Sequence, residues 1–496
     1  MIFTSVSHIK DKSEKAFFKE KVFLYVRIIE CLAIDVYPHN FSNEEIVSEL
    51  CNIGVIEIAS ELPLLEKLLG VDLYSRLLKC VQIYLCQPNV VEPHVYKLRN
   101  TSRKETQKKL SQFTFADFFC GAGGMSLGFC KAGFTVALAN DIVDECIETY
   151  RLNHPEIPID RIIKCDIKHL CDNVSDYIKH DVDVVVGGPP CQGFSSANRQ
   201  RIIDDPRNEL YKYYLRAVQL LTPKFVVMEN VKGMLSVAEQ VVEDYQNISC
   251  AINGKNCHYI VAYRLLNSSD FGVAQNRVRL IYVAIRSDIA ESKSISPETI
   301  FEEIMASASA KNFLLRDALQ YIKPLESPRI KGLTEVDDEL TGKKVDSNPY
   351  IESNQYLSLI NGNRFIPLVF NHKARYASET NYKIFSLLRQ GEDASNEKIK
   401  DIMPYSHRLH CFKDKYYRLI EDKPCRTITA HLKMDCLSHI HPTQIRTITP
   451  REAARIQSFP DDYIFMGAYL KTYMQIGNAV PVLMAQTIAN VIKKHI

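Results

Sequence analysis

The chain has 496 residues, enough for two or three domains with a substantial core. Its 61 basic and 59 acidic residues nearly balance, which excludes a uniformly basic nucleic-acid binder but leaves room for a local basic surface. The 15 cysteines show no zinc-type Cys-x-x-Cys pair, no apolar run approaches the ~18 residues of a membrane span, and Met1 opens a polar segment without a signal-peptide pattern. Free thiols in a reducing, cytoplasmic compartment are therefore expected, with no membrane and no metal.

Residues 1–95 are dense in Leu, Ile and Val with little Gly or Pro, which predicts helices. Ser42 with Glu45 has the spacing of a capping box, and Phe41 with Ile46 that of a hydrophobic staple, so a helix is expected to start near residue 42. Residues 97–110 carry Lys97, Arg99, Arg103, Lys104, Lys108 and Lys109 against Glu105 alone. A solvated linker helix is the expectation there, with contact to a phosphate backbone as the sharper alternative. Residues 1–110 thus read as a helical extension with a basic linker, either a packing or dimerisation module or a DNA-binding autoregulator.

From Thr114 the texture changes to strand–turn–helix alternation. Strands are predicted over 113–119, 134–139, 161–166, 182–186 and 225–228, with a later one including Leu280–Ile285. Helix-length segments between them imply an α/β, doubly wound, mostly parallel sheet. Residues 290–440 lose this rhythm and read as a separate, irregular lobe. Order returns at Thr449-Pro450-Arg451-Glu452, a helix start with Pro at its first position, and residues 472–494 read as a final helix. The divisions expected are 1–110, 113–290, 291–440 and 441–496.

Chemistry concentrates at the ends of the predicted strands. The fourth runs into Gly187-Gly188-Pro189-Pro190-Cys191-Gln192-Gly193-Phe194-Ser195, where the prolines can continue neither helix nor ladder and hold Cys191 on a rigid turn. In open α/β sheets that edge is where ligands bind. Phe118-Phe119-Cys120-Gly121-Ala122-Gly123-Gly124 follows the first strand and precedes a helix, a turn that admits close backbone approach by a ligand. Asp141 ends the second strand and could accept from ribose hydroxyls; Asp166 ends the third and could accept from an exocyclic amine, or either could simply cap a helix. Glu229 follows apolar Val226 and Val227, whose surroundings would favour a held proton. Gln275, Arg277 and Arg279 alternate with period two and would share one strand face, where arginines could grip a carbonyl or phosphate.

In series, the segments at 117–129, 187–195, 228–233, 270–286, 447–463 and 473–481 resemble the ordered motifs of the DNA cytosine-5 methyltransferases. The resemblance runs from residue 113 to the C-terminus. It implies a Rossmann-like fold, the cofactor S-adenosyl-L-methionine, and double-stranded DNA as substrate, with the target base flipped from the duplex. By position it makes Cys191 the nucleophile toward C6 of cytosine, Glu229 the acid at N3 and the exocyclic amine, Arg279 the residue holding the base carbonyl, and Arg277 a support for the flipped nucleotide's backbone. Phe119, Gly121, Gly123, Asp141, Asp166, Pro190 and Leu210 match positions around the cofactor, with Asn478 and Val480 closing the pocket. Ser195 falls in the loop after the nucleophile. Asp141 stands where many relatives have Glu, Cys120 is expected to pack without a catalytic role, and residues 1–110 match none of these motifs.

The resemblance makes residues 291–440 the DNA-reading lobe, where Tyr405–His410, Lys413, Lys415–Arg418 and Arg426–His431 mix basic, aromatic and hydroxyl side chains suited to phosphates and groove edges. The leading expectation is the modification enzyme of a bacterial restriction–modification pair, a monomer acting apart from a cognate endonuclease. A tRNA methyltransferase with the same catalytic set is the nearer alternative, faintly suggested by Cys411-Phe412; a non-catalytic DNA-binding regulator on the same fold is the more distant one.

Overall fold

The computed structural model describes residues 1–34, 41–107, 112–178, 180–190, 209–252, 254–309, 311–404 and 415–496. Cys191, Ser195, Lys108, Lys109, Tyr405–His410, Cys411, Phe412 and Lys413 lie outside the described residues.

The centre is a 7-stranded sheet of order β3-β2-β1-β4-β5-β9-β8. Its strands are β1 (Thr114–Phe118), β2 (Thr135–Asp141), β3 (Ile162–Lys164), β4 (Val184–Gly187), β5 (Phe225–Val231), β8 (Tyr259–Asn267) and β9 (Val278–Arg286), with the small hairpin β6 (Cys250–Ile252) and β7 (Lys255–Cys257) beside it. The pairs from β3 to β5 are parallel, while β9 lies antiparallel to β5 and to β8. The expected doubly wound, mostly parallel sheet is what forms.

Alternate residues of each central strand enter different cores, as a sheet covered on both faces requires. Val184, Val186, Phe225 and Val227 join one apolar cluster; Val185, Val226 and Met228 join the other. Helix α7 (Gly124–Lys131), which follows β1, packs so closely on the C-terminal helix Val482–Lys493 that a Cβ on Gly128 would come within 2.6 Å of Ala485. The single final helix expected over 472–494 is instead two, Tyr469–Asn478 and Val482–Lys493, because Pro481 cannot continue the first. This break places Asn478 and Val480 over the sheet edge.

The N-terminal region is helical as expected: α1 (Lys12–Cys31), α2 (Asn43–Ile53), α3 (Leu62–Leu69), α4 (Val71–Cys86), α5 (Pro88–Val95) and α6 (Asn100–Thr106). Ser42 and Glu45 form the capping box that opens α2. The solvated linker expected over 97–110 is not found among its described residues. Arg99 is buried against Glu49 at 2.9 Å and Glu92 at 2.7 Å. Arg103, 1 % exposed, donates to the carbonyls of Arg151, Leu152 and His154 at the carboxyl end of α8 (Asp144–Asn153), where a cation opposes the helix dipole. Lys97 donates to the Asp462 carbonyl.

The lobe is less separate than the sequence suggests. Its strands β10 (Gly342–Ser347) and β11 (Leu368–Lys373) pair antiparallel, and Val345, Leu368 and Phe370 share an apolar core with the N-terminal helices and with Leu152, Ile464 and Met466. The described cysteines are free thiols, as expected. No helix among the described residues is long and apolar enough to cross a membrane.

Candidate active site

Because β1 to β5 run parallel, their carboxyl ends fall on one edge of the sheet. A cavity of about 780 Å³ opens there, within the usual size of a small-molecule pocket. Its walls bring together Phe119, Gly121, Asp141, Asp166, Pro190, Leu210, Glu229, Arg277, Arg279, Asn478 and Val480, drawn from segments more than three hundred residues apart.

The turn after β1 forms the floor. Phe119 takes a left-handed φ of +58° and Gly121 one of +53°, with nothing within 4 Å of where a Gly121 Cβ would stand, so a ligand can meet bare backbone. Asp141 braces this turn: its Oδ2 accepts the Gly121 N–H at 2.9 Å and its Oδ1 the Val143 N–H at 2.8 Å. Burial holds its carboxyl above the usual range, against those two bonds. Asp166 caps the short helix α9 (Ile167–Asp172), accepting from Lys168 N at 2.8 Å, while also lining the cavity. Gly123 does not line it. It precedes α7 at φ +84°, and a Cβ there would meet Tyr463 at 2.8 Å and Tyr150 at 2.9 Å, so this glycine serves packing behind the turn.

The opposite wall follows from strand register. Glu229 of β5 lies opposite Ile281 of β9, and Arg279 opposite Val231, which makes Glu229 and Arg279 diagonal neighbours on one face. Arg279 Nε stands 2.9 Å from Glu229 Oε1, both side chains being largely buried. The expectation for Glu229 rested on its apolar neighbours and took no account of this cation. Asn230 Nδ2 donates to Pro189 O at 3.1 Å, anchoring the turn that ends in Pro190 and, outside the described residues, Cys191.

Arg277 has a different occupation from the one expected. It is 2 % exposed, and its Nη atoms donate to Ile428 O at 2.6 Å and Gly477 O at 3.0 Å, tying the lobe to the helix Tyr469–Asn478. Burial, then the neighbouring Arg279 charge, brings its guanidinium down to about 9, with Glu229 opposing. Gln275 and Arg277 precede β9, so the strand face expected to join them to Arg279 does not form; Gln275 meets the same Ile428, accepting from its N–H at 2.7 Å, and donates to Gln457 at 2.9 Å.

Several cavity residues had escaped the sequence reading. Thr429, Ala430 and His431, read as part of a DNA-facing stretch, line the cavity beside Gly477 and Asn478. Asp117 also lines it; its Oδ2 accepts from Ser126 Oγ at 2.6 Å, which in turn accepts from the Tyr150 hydroxyl. Burial, with the Asp141 charge adding to it, pushes the Asp117 carboxyl up to about 7. An acid inside an otherwise apolar strand was the visible signal for Asp117. Ile142, Met125 and Ile167 give the cavity apolar walls, and Cys120 packs buried within the turn.

Residues 113–494 match the family described as C-5 cytosine-specific DNA methylase. The chain belongs to that family. The type II methyltransferase M.DdeI of Desulfomicrobium norvegicum is 34 % identical to the methylase over 391 residues, covering 75 % of this chain and 86 % of its own. M1.HphI of Haemophilus parahaemolyticus is 31 % identical over 390 residues, covering 77 % and 87 %. A solved structure from an E. coli prophage, described as a DNA modification methyltransferase, superposes with a TM-score of 0.58 at 23 % identity, covering 77 % of this chain and 99 % of its own, a likeness of fold. Residues 1–112 fall outside the family match, so the extension is an addition to the methylase fold.

Proposed function

We propose that the chain transfers a methyl group from S-adenosyl-L-methionine to C5 of a flipped cytosine in duplex DNA, through a covalent bond between Cys191 and C6. The observation that carries this reading is the Glu229–Arg279 pair, set in the wall of one cavity with the glycine turn, Asp141, Asp166 and Pro190, the residue that precedes Cys191 in the chain.

The cavity suits the cofactor chemically. Gly121 leaves backbone open to an amino-acid moiety, Asp141 has lone pairs beyond its two backbone bonds for ribose hydroxyls, Asp166 can accept from an adenine amine, and Ile142 and Ile167 offer apolar contact to the ring. Bound there, the cofactor supplies an electrophilic methyl carbon. The protein's own part is to make C5 electron-rich. Addition of the Cys191 thiolate to C6 breaks the C5–C6 double bond, and a proton relayed from solvent through Glu229 reaches N3 so that no ring anion accumulates. Arg279 orients Glu229 and is within reach of the base carbonyl. After C5 takes the methyl group, N3 gives its proton back through Glu229, and loss of the C5 proton to solvent expels the thiolate and restores the ring. Residues 291–440 act as the DNA-reading lobe on this proposal, and the names of the relatives support a place in a restriction–modification pair.

Transfer of labelled methyl to duplex DNA and to tRNA, by wild type and Cys191→Ser, tests the reading. Methylation of duplex DNA that the variant lacks supports it. Transfer to tRNA alone, or full activity in Cys191→Ser, overturns it. Sequencing of bisulfite-treated product identifies the base and its context.

A further inference from the structure

The extension, although outside the family match, touches three parts of the methylase through one helix. From α1, Lys21 Nζ pairs with Glu148 of α8 at 2.5 Å. The next side chain, Glu20, accepts the Gly467 N–H with both carboxylate oxygens, at 2.9 and 3.0 Å, and pairs with Lys344 of β10. About two turns further on, Arg27 Nη2 donates to the Val345 carbonyl at 3.5 Å. Beneath these polar contacts lies the core that joins Val22, Val26 and Ile29 to Val345, Phe370, Ile464 and Met466.

Glu20 stands at the junction. Gly467, which it binds, precedes the helix Tyr469–Asn478 whose end closes the cavity, and its φ of +92° and a would-be Cβ 2.7 Å from Glu145 reserve the position for glycine. Lys344 belongs to the lobe hairpin. The Glu20 and Lys344 side chains are only 14 % and 20 % exposed, so their attraction is screened less than that of a surface pair. A single carboxylate thus bonds the lobe on one side and the cavity-wall segment on the other.

We propose that Glu20 is a positioning residue: it sets the lobe hairpin against the catalytic segment, so that DNA held by the lobe meets the target-base pocket in register. This rests on residues 291–440 being the DNA-reading lobe. The extension is then a brace for substrate docking, and the effect of loosening it falls on DNA and not on the methyl donor.

The test is steady-state kinetics of the full chain, with Glu20→Gln, Lys344→Met, the double variant and Arg426→Ala in the lobe. Glu20→Gln keeps an acceptor for Gly467 and loses the charge; Lys344→Met leaves Gly467 bound. Both single variants are expected to raise KM for duplex DNA about five- to tenfold, the double variant no more than either, with kcat and KM for S-adenosyl-L-methionine within about twofold of wild type. Equal losses in both KM values, additive effects, or an unchanged KM for DNA alongside a lower melting temperature would reduce Glu20 to a structural contact and overturn the proposal. If Arg426→Ala leaves KM for DNA unchanged, the reading of the lobe fails and takes the proposal with it; if Arg426→Ala weakens DNA and the Glu20 and Lys344 variants do not, only the brace fails.

Discussion

Arg279 and Glu229 meet across neighbouring antiparallel strands with 2.9 Å between Nε and Oε1. Neither can be removed without disturbing the other, since each is the nearest opposite charge in a largely dry wall. Glu229→Gln removes the group that can relay a proton to the base and is expected to lower kcat by roughly 10²- to 10⁴-fold. Arg279→Ala should act on the same step, and the double variant should fall well short of the product of the two losses. Titration of S-adenosyl-L-methionine into each variant, expected to give near wild-type affinity, separates lost chemistry from lost binding.

The helix Tyr469–Asn478 approaches the lobe so closely at Gly477 that a Cβ would sit 2.2 Å from Ala430 N and from Thr429 C. Those are backbone atoms and cannot swing away. Gly477→Ala should therefore push the helix off the 429–431 segment, stretch the Arg277 bond to Gly477 O, and widen the cavity. A stability loss of about 1–3 kcal/mol, of the kind overpacking brings, is expected together with weaker cofactor binding. Chemical denaturation and calorimetric titration measure the two; an unchanged affinity would show that this contact does not shape the pocket.

Asp117 gives the protein a pH signature. In the folded chain its carboxyl holds a proton up to about pH 7, while in the unfolded chain it loses it near 3.8. Between those values the folded state binds more protons, so raising pH favours unfolding, and the effect is complete above about 7. Relative to Asp117→Asn, wild type should lose on the order of 4 kcal/mol of stability across that window. Urea unfolding of both proteins at a series of pH values checks the slope. A difference that stays flat, or that grows toward acid, contradicts the burial argument.

Arg446 and Glu452 are fully buried and joined by two hydrogen bonds, at 2.8 and 2.6 Å. Glu452 also completes the capping box with Thr449 at the start of the helix Pro450–Ile456. The arginine charge and its hydrogen bonds keep the carboxyl far below its usual range despite burial. Arg446→Met would strand that carboxylate in the core, at a cost of about 3–5 kcal/mol. Equilibrium unfolding is the measure, and a loss under 1 kcal/mol would mean that water or His441, 3.6 Å away, takes over the charge.

Much of the architecture was legible because its causes are local. The capping box at Ser42–Glu45 lies within four residues and forms as the spacing predicts, and a helix starts at Thr449–Pro450 as expected, closed there by Glu452. Six of the seven strands of the sheet were recognisable, most from apolar runs ending at glycine, proline or acid, as a sheet buried on both faces needs; β8 (Tyr259–Asn267), at the antiparallel edge, was not. Where longer range matters, reading failed in specific ways. Arg99 and Arg103 look like a solvated basic segment until Glu49, Glu92 and the α8 carbonyls are folded against them. Arg277 stands just before β9 and spends its donors on Ile428 and Gly477, which no periodicity reveals.

The order of residues alone determined the sheet, its glycine and proline turns, and which side chains sit at the carboxyl ends of its strands, since each depends on backbone preferences and alternation over a few residues. Tertiary structure alone decided what those ends face. The 429–431 segment, Asn478 and Val480 enter the cavity, and Glu20 reaches both Gly467 and Lys344, only because segments hundreds of residues apart close on one another. Hydrogen bonds and ion pairs act over about 3 Å of space whatever the distance along the chain, so these partners become visible only once the chain is folded.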